Sequence, residues 1–167
     1  MTPAETIPRD RVRALTPADL LALARCHAAT PNDWSFAPRF DPVERWYSRL
    51  AQAADHEVWL LTWLPGQATE LHDHGGAAGA FVVVSGTVTE QTLPSGPADP
   101  ARLVETSLVT GAGRHFGAHH VHRIVNAGNR PAVTVHAYGP ALTEMTRYDI
   151  EDGRLRIAET RRAGVDW

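Results

Sequence analysis

Apolar residues in the last two thirds of the chain come in short runs, each ended by glycine, proline, asparagine or aspartate. The run 58–64 (Val-Trp-Leu-Leu-Thr-Trp-Leu) predicts a buried strand, and β-rich runs follow at 80–85, 87–93, 102–108, 121–126 and 132–138. The breaks between them are Pro65-Gly66, Gly75-Gly76, Ser85-Gly86, the segment 94–100, Gly111 to Gly113 and Gly128-Asn129. Asp152-Gly153, between 148–150 and 154–157, predicts a hairpin turn. Many short strands at close spacing predict a mainly β sandwich or barrel rather than a parallel sheet. The first 55 residues have a different texture. Thr16, Pro17 and Asp19 form a helix start signal, and the apolar run from Leu20 continues it to about Ala29. Asp41, Pro42 and Glu44 form a second start signal, predicting a helix that carries Trp46, Tyr47, Arg49 and Leu50 to about Ala54. A proline-rich loop, 30–40, separates the two. The expected organisation is one domain over 1–167, with a helical part over 1–55 packed on a β body over 56–167.

Composition narrows the chemistry. Hydrophobic residues at 43% and charged residues at 21% are enough for a packed core. A net charge of -3 and a pI near 6.3 argue against a nucleic-acid binder or a binder of acidic membranes. No apolar run is long enough to span a bilayer, because Arg13, Asp19 and Arg25 interrupt the candidate. Cys26 is the single cysteine, which excludes an intramolecular disulfide and a zinc site of several cysteines, and suits a reducing cytoplasm. All 16 basic residues are arginine, so mechanisms that need a lysine nucleophile or a phosphate-binding lysine are excluded. Nine histidines remain to be explained.

His72 and His74 are two apart, and on a strand both side chains point to one face while Asp73 points away. A third ligand must come from another strand, and His122, opening the run His122-Arg123-Ile124-Val125-Asn126, is the best placed. His120 shares strand parity with His122 and is the alternative; His115 and His119 stay open, and His27 and His56 have no metal-ligating company. Gly66, His72, His74 and Gly86 resemble the first metal motif of the cupin superfamily, and His122 with Asn126 resembles the end of the second. The glutamate of the first motif is missing, since Ala78 and Gly79 stand where it would fall. Three neutral imidazoles without a carboxylate leave the full charge on a divalent ion and favour an anionic soft ligand such as a thiolate. The spacing accepts iron, nickel, manganese or zinc.

Thr134, His136 and Tyr138 alternate with Val133, Val135 and Ala137. The alternation fits a polar stripe on a solvated strand face; it also fits a buried relay in which the hydroxyl orients the histidine and the histidine orients the phenol. Together with Tyr47-Ser48-Arg49, His72-Asp73-His74, His122-Arg123-x-x-Asn126 and the run 131–140, this row resembles the cysteine dioxygenase family of thiol dioxygenases, of bacterial type, over about residues 46–140. The resemblance implies a cupin-type jelly roll with a ferrous ion, Fe(2+), on His72, His74 and His122. It implies a substrate carboxylate held by Arg49, with Tyr47, and a catalytic row of Thr134, His136 and Tyr138, threonine replacing the family's serine. Animal members join a cysteine to the tyrosine; Gly79 stands at that position, so no crosslink is expected.

The implied activity is oxidation of L-cysteine by O2 to cysteine sulfinic acid, by a cytoplasmic monomer with no nucleic-acid or membrane partner. The alternatives are a dioxygenase of 3-mercaptopropionate or another small thiol, a cupin that binds metal or ligand without catalysis, and a cupin isomerase or oxidase of another substrate. An arginine at position 49 favours cysteine over 3-mercaptopropionate, because relatives selecting the latter carry glutamine there.

Overall fold

The computed structural model describes residues 14–93 and 102–162. The predicted break at 94–100 lies outside the described residues. One helix, α1 (Pro17–Ala29), precedes eleven strands: β1 (Tyr47–Gln52), β2 (Glu57–Trp63), β3 (Leu71–His72), β4 (Ala78–Ser85), β5 (Thr87–Thr92), β6 (Val104–Val109), β7 (Gly113–Phe116), β8 (His122–Val125), β9 (Ala132–Gly139), β10 (Glu144–Glu151) and β11 (Arg154–Arg162). They form two antiparallel sheets, in the orders β1-β2-β9-β4-β7 and β11-β10-β3-β8-β5-β6.

The start signal for α1 forms as a capping box. Asp19 N–H donates to Thr16 Oγ1, and the Asp19 carboxylate accepts from Thr16 N–H at 2.9 Å. Leu20 and Ala24 of this helix are fully buried against Val58, Leu60, Ala80, Val82, Val133, Val135 and Ala137, on the outer face of the first sheet. The opposite face of that sheet meets the second sheet. There Trp63, Phe81, Val83 and Ala132 pack with Val88, Leu108 and Ile124. The alternation of β9 thus divides its residues between two cores, which is why all eight of them are buried.

The second predicted helix does not form. Asp41 Oδ1 does accept from the backbone N–H groups of Val43 and Glu44, at 2.8 and 3.2 Å, as an N-cap would. The chain then extends rather than coiling. Thr62 N–H donates to Trp46 C=O at 3.0 Å, and Tyr47, Ser48 and Arg49 pair with Leu61, Leu60 and Trp59 as the edge strand β1. This arrangement buries Trp46 and Leu50 against the outer core while Tyr47 and Arg49 take the other face. A helix would satisfy its own backbone but leave the edge of β2 unpaired. Among its described residues the N-terminal part is therefore one helix and one strand, with a short 3-10 turn at Pro31–Asp33.

The body strands fall close to their predicted positions. β7 arises where only glycine punctuation was read, and β10 and β11 extend well beyond 148–150 and 154–157. Their turn is Asp152-Gly153, both at positive φ (49° and 70°), the conformation an Asp-Gly hairpin needs.

The packing of α1 gives a direct check. Leu20→Ala removes a fully buried side chain from the helix–sheet interface. Urea unfolding of the variant is expected to show a loss of about 2–5 kcal/mol.

Candidate metal centre

His72 and His122 face one another directly across the β3–β8 ladder. His74 lies two residues beyond, past the end of β3, so a turn rather than a strand aims its ring. Asp73 builds that turn. Its Oδ1 accepts from Gly75 N–H at 2.9 Å and from Thr146 N–H at 3.3 Å, and its Oδ2 accepts from the Tyr148 hydroxyl at 2.6 Å. Burial, then the bond to Asp73, pushes the Tyr148 pKa up to about 12, so the hydroxyl remains a donor. Gly75, at φ +57°, has the Glu144 backbone 2.5 Å from where a Cβ would stand.

The three imidazoles form a nearly equilateral cluster. Ring centroids are 4.9 Å apart for His72–His74, 5.0 Å for His72–His122 and 5.1 Å for His74–His122. One nitrogen from each lies within 4.8 Å of the others, and all three residues are buried. His72 Nδ1–H donates to the Glu70 carbonyl at 2.8 Å, and His122 Nδ1–H donates to Glu90 Oε1 at 2.8 Å. Each bond fixes the tautomer that leaves an Nε2 lone pair free. Both nitrogens of His74 are buried without a hydrogen-bond partner. An orphaned imidazole is costly in a core unless something else meets its lone pair. A divalent metal ion fits this donor set. Burial, followed by the neighbouring imidazoles, lowers the pKa of His74 well below the ordinary value; burial and the His122 charge bring His72 to about 3. All three ligands are thus neutral at physiological pH, as metal binding requires.

Glu90 is the carboxylate that sequence reasoning missed. It is fully buried on β5, accepting from His122 Nδ1–H, from His120 Nε2 at 3.0 Å and from Arg114 Nε at 3.0 Å. Burial alone would raise its pKa; the hydrogen bonds from His120 and His122 outweigh this and hold it low, hence ionised. His120, the alternative third ligand in the sequence, supports Glu90 instead. The available signal was strand parity: Glu90 shares a face with the buried Val88.

The Thr134, His136 and Tyr138 side chains are buried, at 0%, 2% and 4% exposure, so this is no solvated stripe. Thr134 Oγ1 lies 2.9 Å from His136 Nε2, and His136 Nδ1 lies 3.1 Å from the Tyr138 hydroxyl. Trp63 extends the chain, its indole N–H donating to Thr134 Oγ1 at 2.9 Å. An indole only donates, so the Thr134 hydroxyl accepts there and turns its proton toward His136 Nε2. Burial keeps His136 neutral, with its pKa well below the ordinary value. Its remaining proton therefore sits on Nδ1 and donates to the Tyr138 oxygen. The phenol proton is left free for another acceptor, and the Tyr138 ring lies 4.9 Å from that of His74. Burial raises the Tyr138 pKa well above the ordinary value, so the group stays protonated.

Tyr47 and Arg49 share this face of the first sheet. Arg49 is cross-strand partner to Trp59, which is partner to His136, and its guanidinium stacks over the Trp59 ring at 5.5 Å. Arg49 is exposed. At Gly79 a Cβ would fall 2.5 Å from the Phe116 ring and 2.9 Å from Tyr138 Cδ1. Phe116 fills the space that a side chain would need.

Two outcomes follow from this electrostatic arrangement. His72, His74, His122 and His136 are neutral when folded but ionise near 6.5 when unfolded. The metal-free protein is therefore expected to keep its full stability above about pH 6.5 and lose it as pH falls, by about 1.4 kcal/mol per pH unit for each histidine. Urea unfolding of chelated protein at several pH values measures this slope. Glu90→Gln keeps the shape but removes the charge that holds His122, and metal affinity measured by competition with a chelator is expected to fall about 10- to 100-fold.

The fold superposes on that of the protein TT1209 from Thermus thermophilus with a TM-score of 0.54, at 22% identity over 62% of this chain and 90% of that one. It superposes on a double-stranded β-helix protein of Klebsiella pneumoniae with a TM-score of 0.53, at 17% identity over 89% and 99% of the two chains. An RmlC-like cupin of Desulfovibrio desulfuricans gives 0.53, at 15% identity over 66% and 95%. Identities this low establish the cupin fold alone. No curated protein sequence matches the chain. The sequence model of cysteine dioxygenase type I matches residues 9–151, from ahead of α1 to the end of β10, a span that takes in the three histidines, Glu90 and the row ending at Tyr138; the chain belongs to the cysteine dioxygenase type I family.

Proposed function

We propose that the protein is an iron-dependent dioxygenase that oxidises L-cysteine to cysteine sulfinic acid with both atoms of O2. The observation that carries this reading is a neutral three-histidine set with no carboxylate among its ligands, beside a phenol at the end of a buried relay, its ring 4.9 Å from that of His74. Ferrous iron, which His72, His74 and His122 would hold, would supply affinity for a thiolate and the redox capacity for its combination with O2. The imidazoles bring no negative charge, which favours an anionic sulfur ligand. Arg49, with Tyr47, binds the substrate carboxylate and fixes the orientation of the amino acid, as a planar guanidinium does well. Tyr138 donates its proton as a hydrogen bond at the reacting end of the substrate. Thr134 and His136 hold that phenol in one orientation, and Trp63 sets the direction of the whole chain of bonds.

The reading places the enzyme in the cytoplasm as a monomer. Among the described residues no helix is long and apolar enough to cross a membrane. The deciding experiment loads the protein with ferrous iron and measures O2 consumption and sulfinate with L-cysteine, 3-mercaptopropionate and cysteamine. Turnover of 3-mercaptopropionate without turnover of cysteine would overturn the substrate, and metal binding without O2 uptake on any thiol would leave a binding cupin. In the active enzyme Tyr138→Phe is expected to lower kcat about tenfold or more while leaving the KM for cysteine within about twofold. An unchanged kcat would remove the relay from the mechanism.

A further inference from the structure

Arg45 belongs to neither the histidine cluster nor the relay. It precedes β1, yet the Thr62 N–H to Trp46 C=O bond carries the β1–β2 register past Tyr47↔Leu61, which sets Arg45 opposite Trp63. Arg45, Tyr47 and Arg49 thus alternate along one edge, all on the face that bears Thr134, His136 and Tyr138. The Arg45 guanidinium lies 4.8 Å from the centroid of the Trp63 ring, the same indole that donates to Thr134. Arg49 is exposed, whereas Arg45 is half-buried.

Stacking uses the face of a guanidinium and leaves its N–H edge free. Among the described residues no carboxylate pairs with Arg45, and no oxygen acceptor holds it in a hydrogen bond. Burial lowers its pKa, opposed by Tyr138 and Tyr47, and its charge in turn helps to lower His72 and His136. By position, the guanidinium adjoins the Trp63 end of the relay. A half-buried guanidinium with no acceptor among the described residues is suited to receive an anion.

We propose that Arg45 is a second, inner carboxylate-binding residue, whose N–H edge takes a carboxylate oxygen of the thiol substrate while Arg49 holds the carboxylate from the rim. This rests on the reading of the protein as a thiol dioxygenase and deepens it: the site selects small thiols that carry a carboxylate, and two guanidiniums share the selection.

The test is equilibrium binding to the metal-loaded protein under nitrogen, read from the thiolate-to-metal absorption, for L-cysteine and for cysteamine, which lacks the carboxylate. The wild type is expected to prefer L-cysteine. Arg45→Gln is expected to weaken L-cysteine binding roughly ten- to a hundredfold, the size of one charge-assisted hydrogen bond, and to leave cysteamine within about twofold. Arg45→Lys, which keeps the charge without the planar edge, is expected to fall between and serves should the glutamine variant fail to fold. Equal weakening of both thiols in either variant, or an undiminished preference for L-cysteine, overturns the assignment. A wild type that binds both thiols alike overturns it too, while leaving thiol oxidation standing. A wild type that prefers L-cysteine in this assay but consumes no O2 with any thiol overturns the dioxygenase reading and leaves Arg45 in place.

Discussion

Burial of β9 on both faces governs the rest of the molecule. Val133, Val135 and Ala137 are locked against α1, so the strand can neither slip by one residue nor turn its other face to water. Thr134, His136 and Tyr138 are then forced into the interior, where each must find a hydrogen-bond partner within the row. They do so in one direction only, because the donor at the far end is an indole that cannot accept. The helix on the outside of the sheet therefore fixes the orientation of a phenol proton on the inside, through a strand that shares no atom with the helix.

The charge of the centre is divided in a similar way. No carboxylate touches the position between the three histidines, but Glu90 stands one hydrogen bond behind His122 and is ionised. Its negative charge is tied up by His120 and Arg114 as well, so the cavity feels an oriented imidazole more than an anion. Arg114 comes from β7 of the first sheet and Glu90 from β5 of the second, so their ion pair also stitches the two sheets beside the site.

Much of this arrangement is legible in the sequence wherever alternation and turn residues agree. The strands of the body, the Asp152-Gly153 hairpin and the α1 cap are examples. Residues 41–54 mislead because Asp41 caps and Pro42 starts a turn, and because Arg45 and Arg49 share a face on a helix and on a strand alike; the need of β2 for a neighbour decides the matter. His72 and His74 converge, but a turn held by Asp73 does the aiming, and no period of two encodes that. Glu90 and Trp63 are easily overlooked, for opposite reasons. A lone glutamate in a strand reads as solvated, and a tryptophan beside leucines reads as core; both roles exist only once two strands are brought together.

Gly79 carries a consequence for how the protein comes into service. With Phe116 filling the space beside it, and Cys26 exposed on α1, no thiol reaches Tyr138. The covalent structure of the site is therefore complete when the chain leaves the ribosome. No bond to sulfur has to form at Tyr138 between folding and the binding of a metal.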